Sequence, residues 1–247
     1  MNKKHTFFHS WSKNMVRYGL QADLGQIFTN TAETSALYQL GNFLFPAGQA
    51  DPEFWQNYSS QSGLADKIII SEEPSWQQFL DSQSQLHQFT RYAFADRADF
   101  DAETLGKWQS SLPADVQLYP IEENSYTLLA EESWSHDLQG DFTDFAHFQA
   151  AGGFGFVLCL GEEIIAAVST GLTYHGAVEI EIATKPACQG QGLAKVLGAA
   201  MIVESQKRSV FPLWDAHNEA SKKVAQSLGY QLLGAYRAYE WKGSFDQ

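Results

Sequence analysis

Apolar and polar side chains alternate over residues 178–184, Val-Glu-Ile-Glu-Ile-Ala-Thr, the period-two rhythm of a half-buried strand. Pro186 ends that rhythm, and residues 193–204 take up an amphipathic helical one. Upstream, residues 154–160 and 164–170 flank Gly161-Glu162-Glu163 and read as an antiparallel hairpin; with 178–184 they make a three-strand meander. Downstream, residues 211–214 predict a strand and 219–228 a helix. Asn218 suits the N-cap of that helix, and Gly229 the left-handed position beyond its end. Residues 235–241 predict a last strand that completes the sheet.

The first half alternates short strands with helices. Residues 15–28 set Leu20, Leu24 and Ile27 on one helical face, and 35–45 read as a single strand closed by Pro46-Ala47-Gly48. Asp51 opens a helix with Pro52 in its first position. A short strand at 67–71, a helix at 74–86, a strand at 89–94 and a helix at 101–111 follow. Residues 116–121 read as a strand leading into the second half. Helices at 125–134 and 142–149 come next, and Phe142, Phe145 and Phe148 share a core-facing side of the second. The whole predicts an α/β (α+β) chain. A mixed, mostly antiparallel central sheet flanked by helices occupies residues 116–247, preceded by a smaller mixed region over 1–115.

A chain of 247 residues, 44% hydrophobic and 14% aromatic, can bury a large core. No apolar run reaches the length of a membrane span, and residues 1–10 lack the apolar stretch and cleavage site of a signal peptide, so a cytoplasmic protein is expected. Cys159 and Cys188 are expected as free thiols, with Cys188 a small side chain packed near the 189–194 loop. A net charge of −13 argues against a nucleic-acid partner, which needs clustered Lys and Arg. The same charge draws cations, an amine among them, although an excess of Asp and Glu commonly serves only solubility. No metal is expected.

The candidate chemistry lies at Gln189-Gly190-Gln191-Gly192-Leu193-Ala194, between the 178–184 strand and the 193–204 helix. Two glycines one residue apart let the backbone turn tightly and bring successive N–H groups onto one point, at the positive end of a helix. A diphosphate suits such a cradle. The loop lacks the Lys and Ser or Thr of a mononucleotide P-loop and the third glycine of a dinucleotide fingerprint. What remains is Gln/Arg-x-x-Gly-x-Gly/Ala. On these residues, and on Asn218-x-x-Ser221 followed by a helix and Leu228-Gly229-Tyr230, the chain resembles the GNAT superfamily of acetyl-CoA-dependent N-acetyltransferases. Residues 179–184 and 212–221 resemble its zwittermicin-resistance-type subgroup. The likeness covers roughly residues 140–242 and is faint before them.

The resemblance implies direct acetyl transfer from acetyl-CoA, the co-substrate, to a small-molecule amine, with no metal, nucleic acid or membrane partner. It implies pyrophosphate binding by the main chain of Gln189, Gly190, Gln191, Gly192, Leu193 and Ala194, and pairing of the pantetheine arm with the splayed strand at Ile182, Ala183 and Thr184. Asn218 and Ser221 match block residues that contact the cofactor. An N–H near Thr184 would stabilise the oxyanion; Glu179, Glu181 and Asp215 are the candidate bases. Either glutamate could equally lie on a solvated sheet face, and His217 reads first as a loop residue. Ala225 stands where many family members carry the Tyr that protonates the thiolate, which leaves Ser221 or a water for that step. Gln189 forgoes the positive charge of Arg; Lys195 could restore it, or could face solvent. The alternative is a catalytically weak or inactive coenzyme-A-binding regulatory module. Sheet pairing or an exchanged edge strand would give a homodimer, which no residue pattern decides.

Overall fold

The computed structural model describes residues 3–242; Met1, Asn2 and residues 243–247, the outermost parts of the two predicted regions, lie outside the described residues. The chain divides into two compact units, Met1–Arg91 with Ala235–Gln247, and Tyr92–Gly234. In chain order, α1 (Asn14–Gln21) leads to β1 (Gln26–Thr29), β2 (Ser35–Leu40), β3 (Phe43–Gly48), α2 (Pro52–Ser62), β4 (Ile68–Ile69), α3 (Pro74–Asp81) and β5 (Leu86–Phe94). Then come α4 (Ala102–Ser110), β6 (Val116–Pro120), α5 (Glu123–Glu131), a 3₁₀ turn (His136–Gln139) and α6 (Phe145–Ala150). The chain continues through β7 (Gly155–Leu160), β8 (Glu163–Tyr174), β9 (Ala177–Thr184), α7 (Leu193–Lys207), β10 (Phe211–Leu213), β11 (Asp215–Ala216), α8 (Glu219–Ser227) and β12 (Leu232–Trp241). This is the mixed α/β architecture expected.

In the first unit the strands lie in the order β1-β2-β3-β4-β12-β5. The single strand expected at 35–45 is a hairpin, β2 and β3, turned at Gly41-Asn42 with Gly41 at φ +54°. The two residues of the turn, Gly41-Asn42, are themselves a hairpin signal between two buried runs, which the reading of one continuous strand passed over. The helix expected over 15–28 stops at Gln21, and Ile27 belongs to β1. The last strand does not complete the second unit's sheet: β12 pairs antiparallel with β4, Tyr239 opposite Ile69. Asp51 caps α2 as its position implied, accepting from Phe54 N at 2.9 Å. Trp55, Trp76, Leu80 and Tyr239 close the core of this unit, and the Trp76 indole donates to the Ala47 carbonyl.

In the second unit five strands run β10-β9-β8-β7-β6, all antiparallel except the β9–β10 pair. Alternation sorts their side chains onto two cores. Leu158, Ala166, Val168, Val178 and Ile180 face α7. Val157 and Ala167 face the opposite way, onto Tyr126, Leu129, Leu138 and Phe148. Phe142 packs there too, although α6 begins only at Phe145, where Asp144 accepts from His147 N. The amphipathic helix expected over 193–204 is buried on more than one side: Leu193, Val196, Leu197, Ala199, Ala200, Met201 and Ile202 are all inside. It lies against strands β7 to β10 and against α4 and α8. Gly198 allows the last of these approaches, because a Cβ there would meet Leu228 Cδ1 at 2.5 Å and Trp214 at 3.4 Å.

Gly198→Ala sets two effects against each other. Alanine gains about 1 kcal/mol of helix propensity, but overpacking a filled core costs about 1–3 kcal/mol, and Leu228 is fully buried. Urea unfolding should therefore show Gly198→Ala less stable than the parent. An equal or higher midpoint would contradict the close packing of α7 on α8.

Candidate functional site

The site is built where the sheet forks. β10 pairs in parallel with the start of β9, Phe211 opposite Ala177, Pro212 opposite Val178 and Leu213 opposite Glu179. The pairing ends there because the chain changes partner: after Trp214, β11 pairs antiparallel with the end of β5, Asp215 opposite Ala93 and Ala216 opposite Tyr92. Beyond Ile180, β9 keeps β8 on one side and has left β10 on the other.

The main-chain directions on that stretch follow from one bond. Lys185 N donates to the Ile165 carbonyl at 2.9 Å, and hydrogen-bonded pairs alternate along an antiparallel ladder. Ala183 and Glu181 therefore bond β8 through Ala167 and Ser169. Ile182 and Thr184 turn their N–H and C=O groups to the side β10 has left. Of the three residues assigned to the splayed strand, Ile182 and Thr184 present their main chain there, whereas that of Ala183 is committed to β8. The Thr184 carbonyl accepts from the Gln189 side-chain amide at 3.2 Å. Gln189 thus ties the loop to the strand, which is the use the structure makes of Gln where Arg is the other choice.

The loop itself follows the 3₁₀ turn Pro186–Cys188. Gly190 and Gly192 have φ +77° and +82°, and a Cβ on either would meet no atom within 4 Å, so the space above both glycines is open. Gly192 is the N-cap of α7 and no side chain caps the helix. The first intrahelical bond is Lys195 N to Gly192 O at 2.9 Å. The amides of Gln191, Gly192, Leu193 and Ala194 lie ahead of it, at the positive end of a buried 15-residue helix. The Lys195 ammonium, on a half-buried side chain, lies 4.2 Å from the centre of the Trp108 ring, a cation–π contact. Cys188 is half-buried against the α7 core, as its small size implied.

Glu179 and Glu181 share the β9 face turned away from α7, because Val178 and Ile180 occupy the other. Glu179 is 5% exposed, at the fork; Glu181 is half-buried and its Cγ packs over Gly171, where a Cβ would approach to 3.0 Å. Asp215 is half-buried in β11 and His217 exposed beyond it. Asn218 caps α8, accepting from Ser221 N at 2.9 Å, and the Ser221 hydroxyl accepts from the Trp214 indole at 3.0 Å. Ala225 is completely buried in the α7 core. A phenol does stand nearby: the Tyr230 hydroxyl donates to the Pro212 carbonyl at 2.8 Å. Burial, reinforced by the charge of Glu179, holds that phenol well above its usual range, so it stays a fixed donor. Two groups escaped the sequence reading. Trp108 lies under Lys195. Tyr92 bonds Glu219, which Lys222 also binds at 2.7 Å, and those two bonds hold the Glu219 carboxyl below its usual range. The Glu219–Lys222 spacing was legible on α8; the approach of a tyrosine from β5 was not.

Among the described residues no group of three or more His, Cys, Asp or Glu side chains could hold a metal, and no helix is long and apolar enough to cross a membrane. The model of the GNAT acetyltransferase family matches residues 5–239. A GCN5-related N-acetyltransferase-like protein from Streptococcus suis is 30% identical, with a TM-score of 0.87 over 96% of each chain. A GCN5-related N-acetyltransferase from Kribbella flavida, 11% identical with a TM-score of 0.52 over 91% of this chain and 93% of its own, shares the fold. The "uncharacterized N-acetyltransferase YdfB" of Bacillus subtilis is 24% identical over 177 residues, 69% of this chain; the match spans 64% of that curated relative's length.

Tyr230→Phe would leave the buried Pro212 carbonyl without its donor, a loss of about 1–3 kcal/mol. Denaturant titration should read that loss. A variant as stable as the parent would show that the hydroxyl is not holding β10 at the fork.

Proposed function

The chain belongs to the GNAT acetyltransferase family, and from that premise we propose that it moves an acetyl group from acetyl-CoA to the amine of a small molecule, directly, while both are bound. The observation that carries this reading is the fork: an open strand edge at Ile182 to Thr184 that runs into a glycine cradle at the end of a buried helix. An extended pantetheine chain suits the first, by strand addition, and a pyrophosphate the second. Acetyl-CoA supplies the activated acyl group, as a thioester.

The chain's own residues divide the remaining work. The amides of residues 190–194 hold the pyrophosphate, Gln189 keeps the loop on the strand, and Ile182 and Thr184 hold the arm. Asn218 and Ser221 border the same cofactor at the start of α8. Glu181, half-buried on the stretch beyond the fork, takes the proton of the attacking amine; Glu179, buried at the fork, keeps that face negative and favours a cationic acceptor. As the C–N bond forms and the C–S bond breaks, an N–H near Thr184 faces the oxyanion. Ser221 accepts from Trp214 and retains its own hydroxyl proton, which makes it the donor to the thiolate in place of the phenol absent at Ala225. Asp215 is the next candidate base. The likeness of residues 179–184 and 212–221 to the zwittermicin-resistance-type subgroup supports a small-molecule acceptor.

Calorimetry should detect acetyl-CoA binding, and Gly192→Val should weaken it about ten- to a hundredfold by removing one or two charge-assisted amide bonds. The open space at Gly192 confines the structural cost to the positive φ, about 1–2 kcal/mol. No binding by the parent at millimolar cofactor would sink the proposal. With an acceptor found by thiol release from an amine panel, Glu181→Gln should lower kcat about 10²–10⁴-fold and Glu179→Gln less; the reverse order would move the base to Glu179. A second reading, a coenzyme-A-binding regulator, is favoured by the burial of Ala225. It requires cofactor binding with no thiol release from any amine, and release at catalytic rates excludes it.

A further inference from the structure

A cavity of about 260 Å³ opens in the first unit where α1 passes into β1, lined by His5, Leu20, Asp23, Leu24, Gln26, Ile27 and Tyr38 among others. Its exposed lining is polar, Asp23 and Gln26; Leu20, Leu24 and Ile27 are half-buried and Tyr38 is fully buried. The phenol of Tyr38 is already engaged, donating to the Leu24 carbonyl at 2.8 Å. A ligand would therefore find the half-buried Leu20, Leu24 and Ile27 behind a carboxylate.

The placement of Asp23 is costly to the fold. The end of α1 closes with Leu24 N donating to Gly19 O at 2.9 Å and Asp23 N to Leu20 O at 3.4 Å, which puts Asp23 at the left-handed position, φ +55°. Glycine is the usual residue there, as Gly229 is after α8, with the same two bonds running from Tyr230 N to Ala225 O and from Gly229 N to Gln226 O. Asp23 also adds a negative charge to the negative end of a helix whose last turn carries no basic residue. Both choices oppose stability and both concentrate negative potential at the mouth of the cavity. Anions are disfavoured there. A metal ion is as well, since among the described residues no metal-ligating cluster forms and the space far exceeds one ion.

We infer that this cavity is a binding site for a small amphipathic organic cation, an ammonium group on a short apolar body, with Asp23 receiving the ammonium and Leu20, Leu24 and Ile27 receiving the body. The site stands apart from the acetyl-transfer reading, since all its residues belong to the first unit and none to the fork.

The test uses three probes of similar size and different charge, n-butylammonium, n-butanol and n-butanoate, titrated calorimetrically into the full chain. The cation should bind at least about tenfold more tightly than the alcohol, and butanoate should not bind; tenfold corresponds to a single favourable charge contact. Asp23→Asn keeps a residue that tolerates the left-handed conformation and should lose that preference, which separates this cavity from any amine binding at the fork. Asp23→Gly should raise the thermal midpoint by a few degrees while abolishing the binding difference. Equal affinity for the three probes, no binding of the cation, an unchanged preference in Asp23→Asn, or an Asp23→Gly chain no more stable than the parent would each overturn the assignment.

Discussion

Between Leu213 and Asp215 the backbone exchanges one hydrogen-bonding neighbour for another, leaving β9 and taking up β5. That exchange is the constraint on which the site rests. A sheet that kept β10 beside β9 would satisfy every main-chain group of the meander and leave nothing for a ligand. Because the partner changes, Ile182 and Thr184 form a strand edge of the kind proteins ordinarily cover. The α7 core keeps this edge from collapsing: Val178 and Ile180 are held from below by Leu193, Leu197 and Met201, so β9 stays extended without its neighbour. The same helix presents its uncapped amino end at the end of the open edge. One departure of backbone and one buried helix thus produce both grips of the proposed coenzyme site.

The fork also separates the chemistry by direction. In the plane of the sheet lie the open main-chain groups. On the α7 side lies packed hydrocarbon, with Tyr230 bonded to Pro212 and Ala225 sealed in the core. On the other side lie Glu179 and Glu181. A phenol at position 225 would have to displace that core, so the lack of the common tyrosine follows from how tightly α8 meets α7 at Gly198 and Leu228. The proposed acid–base chemistry therefore falls to the face with the carboxylates and to the hydroxyl of Ser221.

Much of this was legible in the chain, and the reasons for the exceptions are physical. Alternation over 178–184 fixed which side chains share a face, and the spacing of Gly190 and Gly192 marked the turn before a helix. Asn218 and Gly229 declared both ends of α8 because capping is local chemistry. Side-chain patterns do not, however, record which way a main chain points or with which strand it pairs. The commitment of Ala183 to β8 and the pairing of β12 with β4 came only from the ladder. The turn at Gly41 was legible in the Gly41-Asn42 dipeptide, and reading 35–45 as one strand overlooked it. Lys195 over Trp108 and Tyr92 on Glu219 join residues distant along the chain, and no local pattern reports such a meeting.

The most direct measurement of the central claim is residue-resolved amide hydrogen exchange with and without saturating acetyl-CoA. If β9 offers its open edge to the coenzyme, the amides of Ile182 and Thr184 slow markedly while those of Glu181 and Ala183, already bonded to β8, hold their rates. Slowing confined to residues 190–194, or spread evenly along β9 without that alternation, would contradict it.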